Sequence, residues 1–294
     1  MELPPSSDCA PLSLTRSIAE FPLGNIPLWQ HQQTAVAQAG LAPAAAAHLT
    51  LHPHAWLAAA DLTALAGSAA TTLVDASLTP LAWRGAAPDP QQALAAAASF
   101  LIRYPWDVLR ANEEYVAGLT ATRLLGEVHA SAVLEGVVQL GLGSRILPGV
   151  FIEGNVVVGA HCKIGPNCHL RGNTSIGAGC HIGQAVEIKN CLILSRTSIG
   201  HLSYLGDSVV GEAVNFGAAT TIANLRHDGH HHRSMVAGRL VDTGRSKFGA
   251  IIGDGVHTGI HTVIYPGRKL WPHTSTRPAE IVQRDVVGGD AVLP

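Results

Sequence analysis

The chain has 294 residues, enough for one large or two ordinary domains, and its 47% hydrophobic and 14% charged composition excludes an intrinsically disordered protein. A formal charge of −2 gives no electrostatic basis for binding nucleic acid. No apolar run reaches the roughly 18 residues of a membrane span, and the opening Met1–Pro5 has neither a basic n-region nor an apolar h-region, so a cytoplasmic protein without a signal peptide is expected.

In chain order, residues 1–103 read as a small, alanine-rich α/β domain. Leu28–Ala39 predicts a helix stopped by Gly40, His48–His52 a short strand, and Asp61–Ala66 a capped helix. Thr71–Val74 and Leu81–Trp83 predict strands, and Asp89 before Pro90 is an N-cap and first-turn pair for a helix running to Leu101. Residues 104–125 form a connecting segment whose Trp106–Ala121 stretch is an amphipathic helix. From about Val128 helical periodicity disappears, and residues 126–294 form the second domain.

That domain repeats every six residues. Ile146, Ile152, Val158, Ile164, Leu170, Ile176, Ile182, Ile188 and Leu194 are aliphatic without a break. After a one-residue slip the series resumes at Ile199 and Leu205, then at Val210, Phe216 and Ile222, and later at Ile252, Thr258, Ile264 and Leu270. Six is three strand steps, so every sixth side chain returns to one environment only if the chain turns once per hexad. Three hexads then close one triangular coil of a mainly β solenoid. The glycines after the aliphatics, Gly159, Gly165, Gly177 and Gly183, are expected to relieve the turns through left-handed backbone angles. Of the five cysteines, Cys9, Cys162, Cys168, Cys180 and Cys191, none forms a CxxC pair. Cys162, Cys168 and Cys180 each follow an aliphatic by four residues, a second inward position that suits a small packing residue better than a redox or metal role.

Function is expected where the repeat is violated. Glu153, Arg171 and Lys189 occupy the position after the aliphatic at intervals of 18, so they stack on one edge of the solenoid, about 5 Å per coil. Two stacked cations with no acid nearby in sequence make a phosphate clamp. The alternatives are that they are solvated, or that Glu153 pairs with Arg171. Gly200–Asp207 puts His201 and Tyr204 on turns at the register slip. Residues 225–246 break the hexads and carry His227, Asp228, His230, His231, His232 and Arg233 in a loop extruded from one coil, solvated or reaching a neighbouring subunit rather than holding a metal.

These residues resemble a known family. The run GHLSYLGD over Gly200–Asp207 is similar to the GHLTYLGD motif of the acetyltransferase domain of the GlmU-type bifunctional proteins, which make UDP-N-acetylglucosamine. Ile164-Gly165-Pro166 through Arg171, Val186–Lys189 and Val214–Ala218 are similar to its IGPxxxLR, VExK and VNIGAG segments. Ala223–Arg226, Lys247–Asp254 and Thr258–Ile260 resemble the archaeal-type version, and the likeness covers residues 105–288. The resemblance implies a left-handed parallel β-helix, a homotrimer, acetyl-CoA as co-substrate with no metal, and a small-molecule amino-sugar 1-phosphate as acceptor. It implies His201 as general base with Glu187 supporting it, Asn224 at the amine and acyl group, and Arg171, Lys189, Tyr204 and Asn215 on the sugar phosphate. It sets Ala218 and Ile260 against CoA. Ile260 stands where bacterial relatives carry serine, and His230 and Arg233 stand where the archaeal-type loop carries lysines.

In that family the front half is a nucleotidylyltransferase. Phe21–Leu28 resembles its PLxNxPL segment, yet no GxGTR phosphate loop precedes it, so residues 1–103 are expected to be a shortened, inactive version serving as platform or binding module. The competing readings are a non-catalytic sugar-phosphate scaffold, a sugar-1-phosphate nucleotidylyltransferase, and a zinc lyase on the same solenoid, whose histidine ligands would have to lie on adjacent coil edges.

Overall fold

The computed structural model describes residues 7–41 and 48–288, and Met1–Pro5 lies outside them. The described residues divide into two compact units, one of 16–22 and 26–103, the other of 7–15, 23–25 and 104–288.

In the first unit, helices α1 (Leu28–Gln38) and α2 (Ala59–Ala66) accompany a four-stranded sheet in the order Leu49–Leu51, Pro80–Arg84, Thr72–Val74, Ala93–Ala95. Leu57, Leu62, Leu65, Leu73 and Leu81 form its core. The helix expected from Asp89 does not form. Asp89 caps only one 3-10 turn, Pro90–Gln92, and Ala93–Ala95 instead pairs in parallel with Thr72–Val74. The reason is tertiary: the Asp61 carboxylate accepts the N–H groups of Ala97, Ala98 and Ser99 at 2.9, 3.0 and 2.6 Å. A helix would turn those donors back on its own carbonyls. Asp61 is therefore not a helix cap, and α2 begins two residues before it.

The second unit is a left-handed parallel β-helix with three faces. Face 1 stacks eight strands from Arg123–Leu124 to Lys269–Leu270, face 2 six from Glu127–Val128 to Asn215–Phe216, and face 3 eight from Val133–Glu135 to Ile281–Val282, among the described residues. The hexad aliphatics stack inward as read from the sequence, with Ile152, Leu170, Ile188, Leu205 and Ile222 in one column of face 3, all fully buried. The slip lies earlier than the periodicity suggested. Ile176 pairs with Ile193, not Leu194, because the face 3 to face 1 corner at Asn190–Cys191 is one residue shorter than the corner one coil below. Coils are 18 residues before this corner and 17 immediately after it, as Ile188 to Leu205 shows.

Left-handed backbone marks the corners and stacks from coil to coil: Gly149, Asn167, Ala185, Leu202, Ala219, His261 and Ala279 at the corner from face 2 to face 3. The hexad glycines serve a different need from the one expected. Of the four, only Gly165 has positive φ. A Cβ on Gly159, Gly177 or Gly183 would lie 2.6, 2.3 or 1.8 Å from backbone of the next coil, so close backbone approach excludes a side chain there. The inward thiols also do more than fill space. Cys162 Sγ donates to Gly177 O at 3.0 Å and Cys180 Sγ to Leu194 O at 3.2 Å, as Ser144 and Thr197 hydroxyls donate to Gly159 O and Gly211 O at equivalent corners. Burial pushes the Cys168 thiol up to about 11, which keeps it an unreactive donor.

Face 1 is covered on its outside. Helix α3 (Pro105–Ala117) starts where Tyr104 N donates to Asp107 Oδ2 at 2.9 Å and ends at Gly118, short of the expected Ala121. It lies across the strands Thr174–Ile176 and Val209–Val210, and its Trp106, Leu109 and Val116 are buried, as are Val157, Leu192 and Val209 of face 1. Fully buried Asn112 joins the layers: its Oδ1 accepts Ser175 Oγ at 2.6 Å and Gly24 N at 3.0 Å. Gly24 and Asn25, inside the segment resembling a nucleotidylyltransferase, thus dock on the β-helix, where Asn25 Nδ2 donates to Ile176 O at 2.9 Å.

Gly183→Ala is expected to cost ~3 kcal/mol or more, because two backbones would have to separate. Gly238→Ala, at an open turn with φ +78° and nothing within 4 Å of its Cβ, should cost about 1 kcal/mol. Chemical denaturation of the two variants checks both numbers.

Candidate functional site

Two columns of outward side chains run up face 3. Glu153, Arg171, Lys189 and Gly206 are in register, and so are His169, Glu187, Tyr204 and Thr221. The stacking of Glu153, Arg171 and Lys189 follows from coil length, as the 18-residue spacing predicted. The isolation of the two cations does not hold. Arg171 Nε and Nη2 both donate to Glu187 Oε1 at 2.9 and 2.6 Å, and Lys189 Nζ lies 3.3 Å from Asp207 Oδ2. Nor does Glu153 pair with Arg171; its carboxylate faces His169 Nε2 at 3.4 Å. The acids escaped sequence reading because each sits one coil away from its partner.

Gly206 leaves a side-chain-sized recess in its column, which two polar groups fill. A Cβ there would lie 2.4 Å from Asn224 Nδ2 and 2.7 Å from the Tyr204 hydroxyl, so both polar groups converge over the bare backbone beside Lys189. Burial, with Glu187 and Asp207 adding to it, raises the Tyr204 phenol, which keeps it a neutral O–H donor. Arg171, Glu187, Lys189, Tyr204 and Asn224 are thus brought together on one surface, with donors outnumbering acceptors as an anion requires.

The remaining predicted residues lie elsewhere on the chain. His201 ends the strand Ser198–His201 and is not itself on a turn; the turn residue is Leu202, with φ 51°, and Tyr204 opens the next strand. The corner from face 2 to face 3 continues upward through Ala218 and Ile260: Ala219 N donates to His201 O at 3.0 Å and His261 N to Ala218 O at 2.8 Å. Asn215 lies on face 2, in register with Ser198. His201, Leu202 and Ile260 are exposed, the last two at 64% and 52%. No hydrogen bond joins His201 to the group around Lys189 among the described residues.

The hexad-free segment is more ordered than an extruded loop. Leu225 and Lys247 bridge its root, and Arg233–Val236 pairs with Arg239–Asp242 as a hairpin. The hairpin returns to its own solenoid, where Ser234 Oγ donates to Gly267 O at 2.9 Å and the buried Lys269 Nζ to Met235 O at 2.7 Å. His227, His230 and His231 are exposed, but His232 is 2% exposed. Its Nε2 lies 3.0 Å from Asn224 O, and since a carbonyl only accepts, Nε2 carries the hydrogen. His232 therefore fixes the residue whose side chain enters the recess. Among the described residues, no group of three histidine, cysteine or acidic side chains is placed to hold a metal ion.

The sequence family described as the GMPPB C-terminal domain matches residues 152–282. Over its C-terminal part the chain is similar to bifunctional sugar nucleotidylyltransferase/acetyltransferases. It is 40% identical over 186 residues to the bifunctional sugar-1-phosphate nucleotidylyltransferase/acetyltransferase of Sulfurisphaera tokodaii, covering 63% of this chain and 46% of that one. To the bifunctional protein GlmU of Methanococcus maripaludis it is 40% identical over 185 residues, 63% of this chain and 44% of the relative. The chain spans less than half the length of these relatives. Among solved structures, the acetyltransferase domain of PglB from Neisseria gonorrhoeae is 15% identical with a TM-score of 0.31, over 64% of this chain and 68% of that chain. No helix among the described residues is long and apolar enough to cross a membrane.

Burial, with Arg226 adding to it, holds the His232 imidazole below its ordinary value of about 6.5. Protonation therefore favours the opened loop, so the stability it lends is complete above about pH 6.5 and is lost as pH falls from there towards the lowered value. Hydrogen exchange of residues 224–248, corrected for intrinsic rates, should be faster at pH 5 than at pH 7.5.

Proposed function

We propose that the protein is an N-acetyltransferase that moves the acetyl group of acetyl-CoA to the amine of an amino-sugar 1-phosphate, glucosamine or galactosamine. The observation that carries this reading is the recess over Gly206, where Arg171 and Lys189 stand in register on adjacent coils beside the Tyr204 hydroxyl and the Asn224 amide. The 40% identity of this region to proteins named as acetyltransferases supports it.

Arg171 and Lys189 hold the phosphate, Tyr204 and Asn215 donate to the sugar phosphate, and Asn224 faces the amine and the incoming acyl group. Glu187 keeps the Arg171 guanidinium oriented through two hydrogen bonds to one oxygen. His201 accepts a proton from the amine, whose lone pair attacks the thioester carbonyl carbon. A C–N bond forms, the tetrahedral oxyanion is stabilised by a backbone N–H at the coil edge, and the C–S bond breaks. The thiolate of CoA leaves with the proton His201 had taken. Ala218 and Ile260, above His201 on the same corner, line the CoA path.

His201 and the Lys189 group occupy different edges of one chain, and exposed Leu202 and Ile260 flank His201. A homotrimer covers these apolar side chains and brings one subunit's His201 to the recess of its neighbour. Residues 1–103 act as a platform or binding module without nucleotidylyl transfer. The compartment proposed with it is the cytoplasm.

Thiol release from acetyl-CoA with glucosamine 1-phosphate or galactosamine 1-phosphate tests the reading. Acceptor-dependent turnover in the wild type, lowered by about 10²–10⁴ in His201→Ala, is the expected result. An absence of turnover with either acceptor would remove the assignment. Gly206→Ala, whose methyl displaces Asn224 and Tyr204, should raise the KM for the acceptor and leave that for acetyl-CoA unchanged.

A further inference from the structure

Asp207 has no role in the chemistry just described, yet it is the most connected side chain of the recess. Its carboxylate is only 5% exposed. Oδ2 accepts Asn224 Nδ2 at 2.5 Å and faces Lys189 Nζ at 3.3 Å, and Oδ1 accepts Asn190 Nδ2 at 3.0 Å. Its backbone is held as well, its N donating to Lys189 O at 2.8 Å and its O accepting Gly249 N at 2.9 Å. The network continues outward. Asn190 Nδ2 also donates to Glu113 of α3, and Glu113 binds Arg245, on the return of the inserted loop, through both guanidinium nitrogens, one at 3.0 Å. Glu113 and Arg245 side chains are 20% and 19% exposed, so this pair is also largely withdrawn from water.

We infer that Asp207 is the positioning residue of the acceptor site, holding Lys189 and Asn224 in place before substrate arrives and, through Asn190, Glu113 and Arg245, locking the root of the inserted loop to the same point. The inference rests on the proposed acetyl transfer for its kinetic part only. A lysine beside a phosphate site would otherwise sample many rotamers, and its order would have to be gained on binding. One hydrogen of its ammonium, directed at Asp207, leaves two for the phosphate. The Asn224 amide is likewise oriented by one hydrogen and presents the other. Charge balance permits the burial: Lys189 and Arg245 offset Asp207 and Glu113, so the network is neutral and the phosphate meets donors, not a bare acid.

The short corner explains how Asp207 comes to be there. At the longer corners from face 3 to face 1 the residue with positive φ is glycine, at Gly136, Gly154 and Gly172, and at the two short ones it is Asn190 and then Asp207. Asparagine and aspartate are the side chains that tolerate this backbone best after glycine. The corner therefore converts an empty position into two stacked polar groups facing Lys189 and α3.

The test uses the full chain with Asp207→Asn and Glu113→Gln. Asparagine at 207 keeps one acceptor oxygen and turns an N–H toward one of three donors. The expected result is a rise of at least about tenfold in KM for glucosamine 1-phosphate, with the KM for acetyl-CoA unchanged. Glu113→Gln should show a smaller rise, and both variants should exchange the amides of residues 224–248 faster than wild type. If the wild type turns over and Asp207→Asn matches it in both KM values, the inference falls while the acetyltransferase reading stands. If the wild type does not turn over but both variants loosen the loop, the function is wrong and the lock at Asp207 is right. No turnover together with unchanged exchange removes both. Should Asp207→Asn fail to fold, Glu113→Gln, on the covering helix, gives the same two readouts: a raised acceptor KM with faster loop exchange upholds the inference, and wild-type values overturn it.

Discussion

The structure depends on the closeness with which successive coils stack. Backbone hydrogen bonds between parallel strands set the spacing at about 4.8 Å, and every other feature adapts to it. The inward columns are mainly aliphatic, corners must turn within a few residues, and glycine is required where one coil's backbone presses on the next, as at Gly177 and Gly183. Corner carbonyls that the ladder leaves over are met by short inward donors, whether hydroxyl or thiol. The same spacing gives the outward residues their meaning, since a charge repeated every coil becomes a column.

This explains why so much of the solenoid was legible. A six-residue period has one physical interpretation, and the column of Glu153, Arg171 and Lys189 followed from coil length alone. What arithmetic could not supply was the corner geometry. The register slip was read one residue late because Leu194 is as aliphatic as Ile193, and only the length of the Asn190–Cys191 corner separates them. Hexad glycines were assigned to turns because glycine serves two purposes, left-handed angles and close approach, that look alike in sequence.

The candidate site was half legible. Side chains on the repeat could be placed by counting, and the motif around His201 supplied the rest. Their partners could not be counted. Asp207 lies a coil from Lys189, and Glu113 lies 132 residues from Arg245, so no local pattern connects them. His232 looked like one of several solvated histidines, and only packing distinguishes it from His230 and His231. In the first unit the misplaced helix after Asp89 has the same origin, a distant carboxylate that claims backbone donors.

The inserted hairpin leaves a corner and returns to it, so Ile222 and Ile264 remain neighbours in one ladder although 41 residues lie between them. Axial distances along the solenoid are therefore independent of the hairpin's length and composition. The repeat acts as a ruler and the insertion as an interchangeable attachment. Selection can alter the hairpin, at His230, Arg233 or its tip, without moving Arg171 relative to Lys189. An architecture of this kind separates a fixed column of charge from an attachment free to vary, and lets the second diversify while the first stays still.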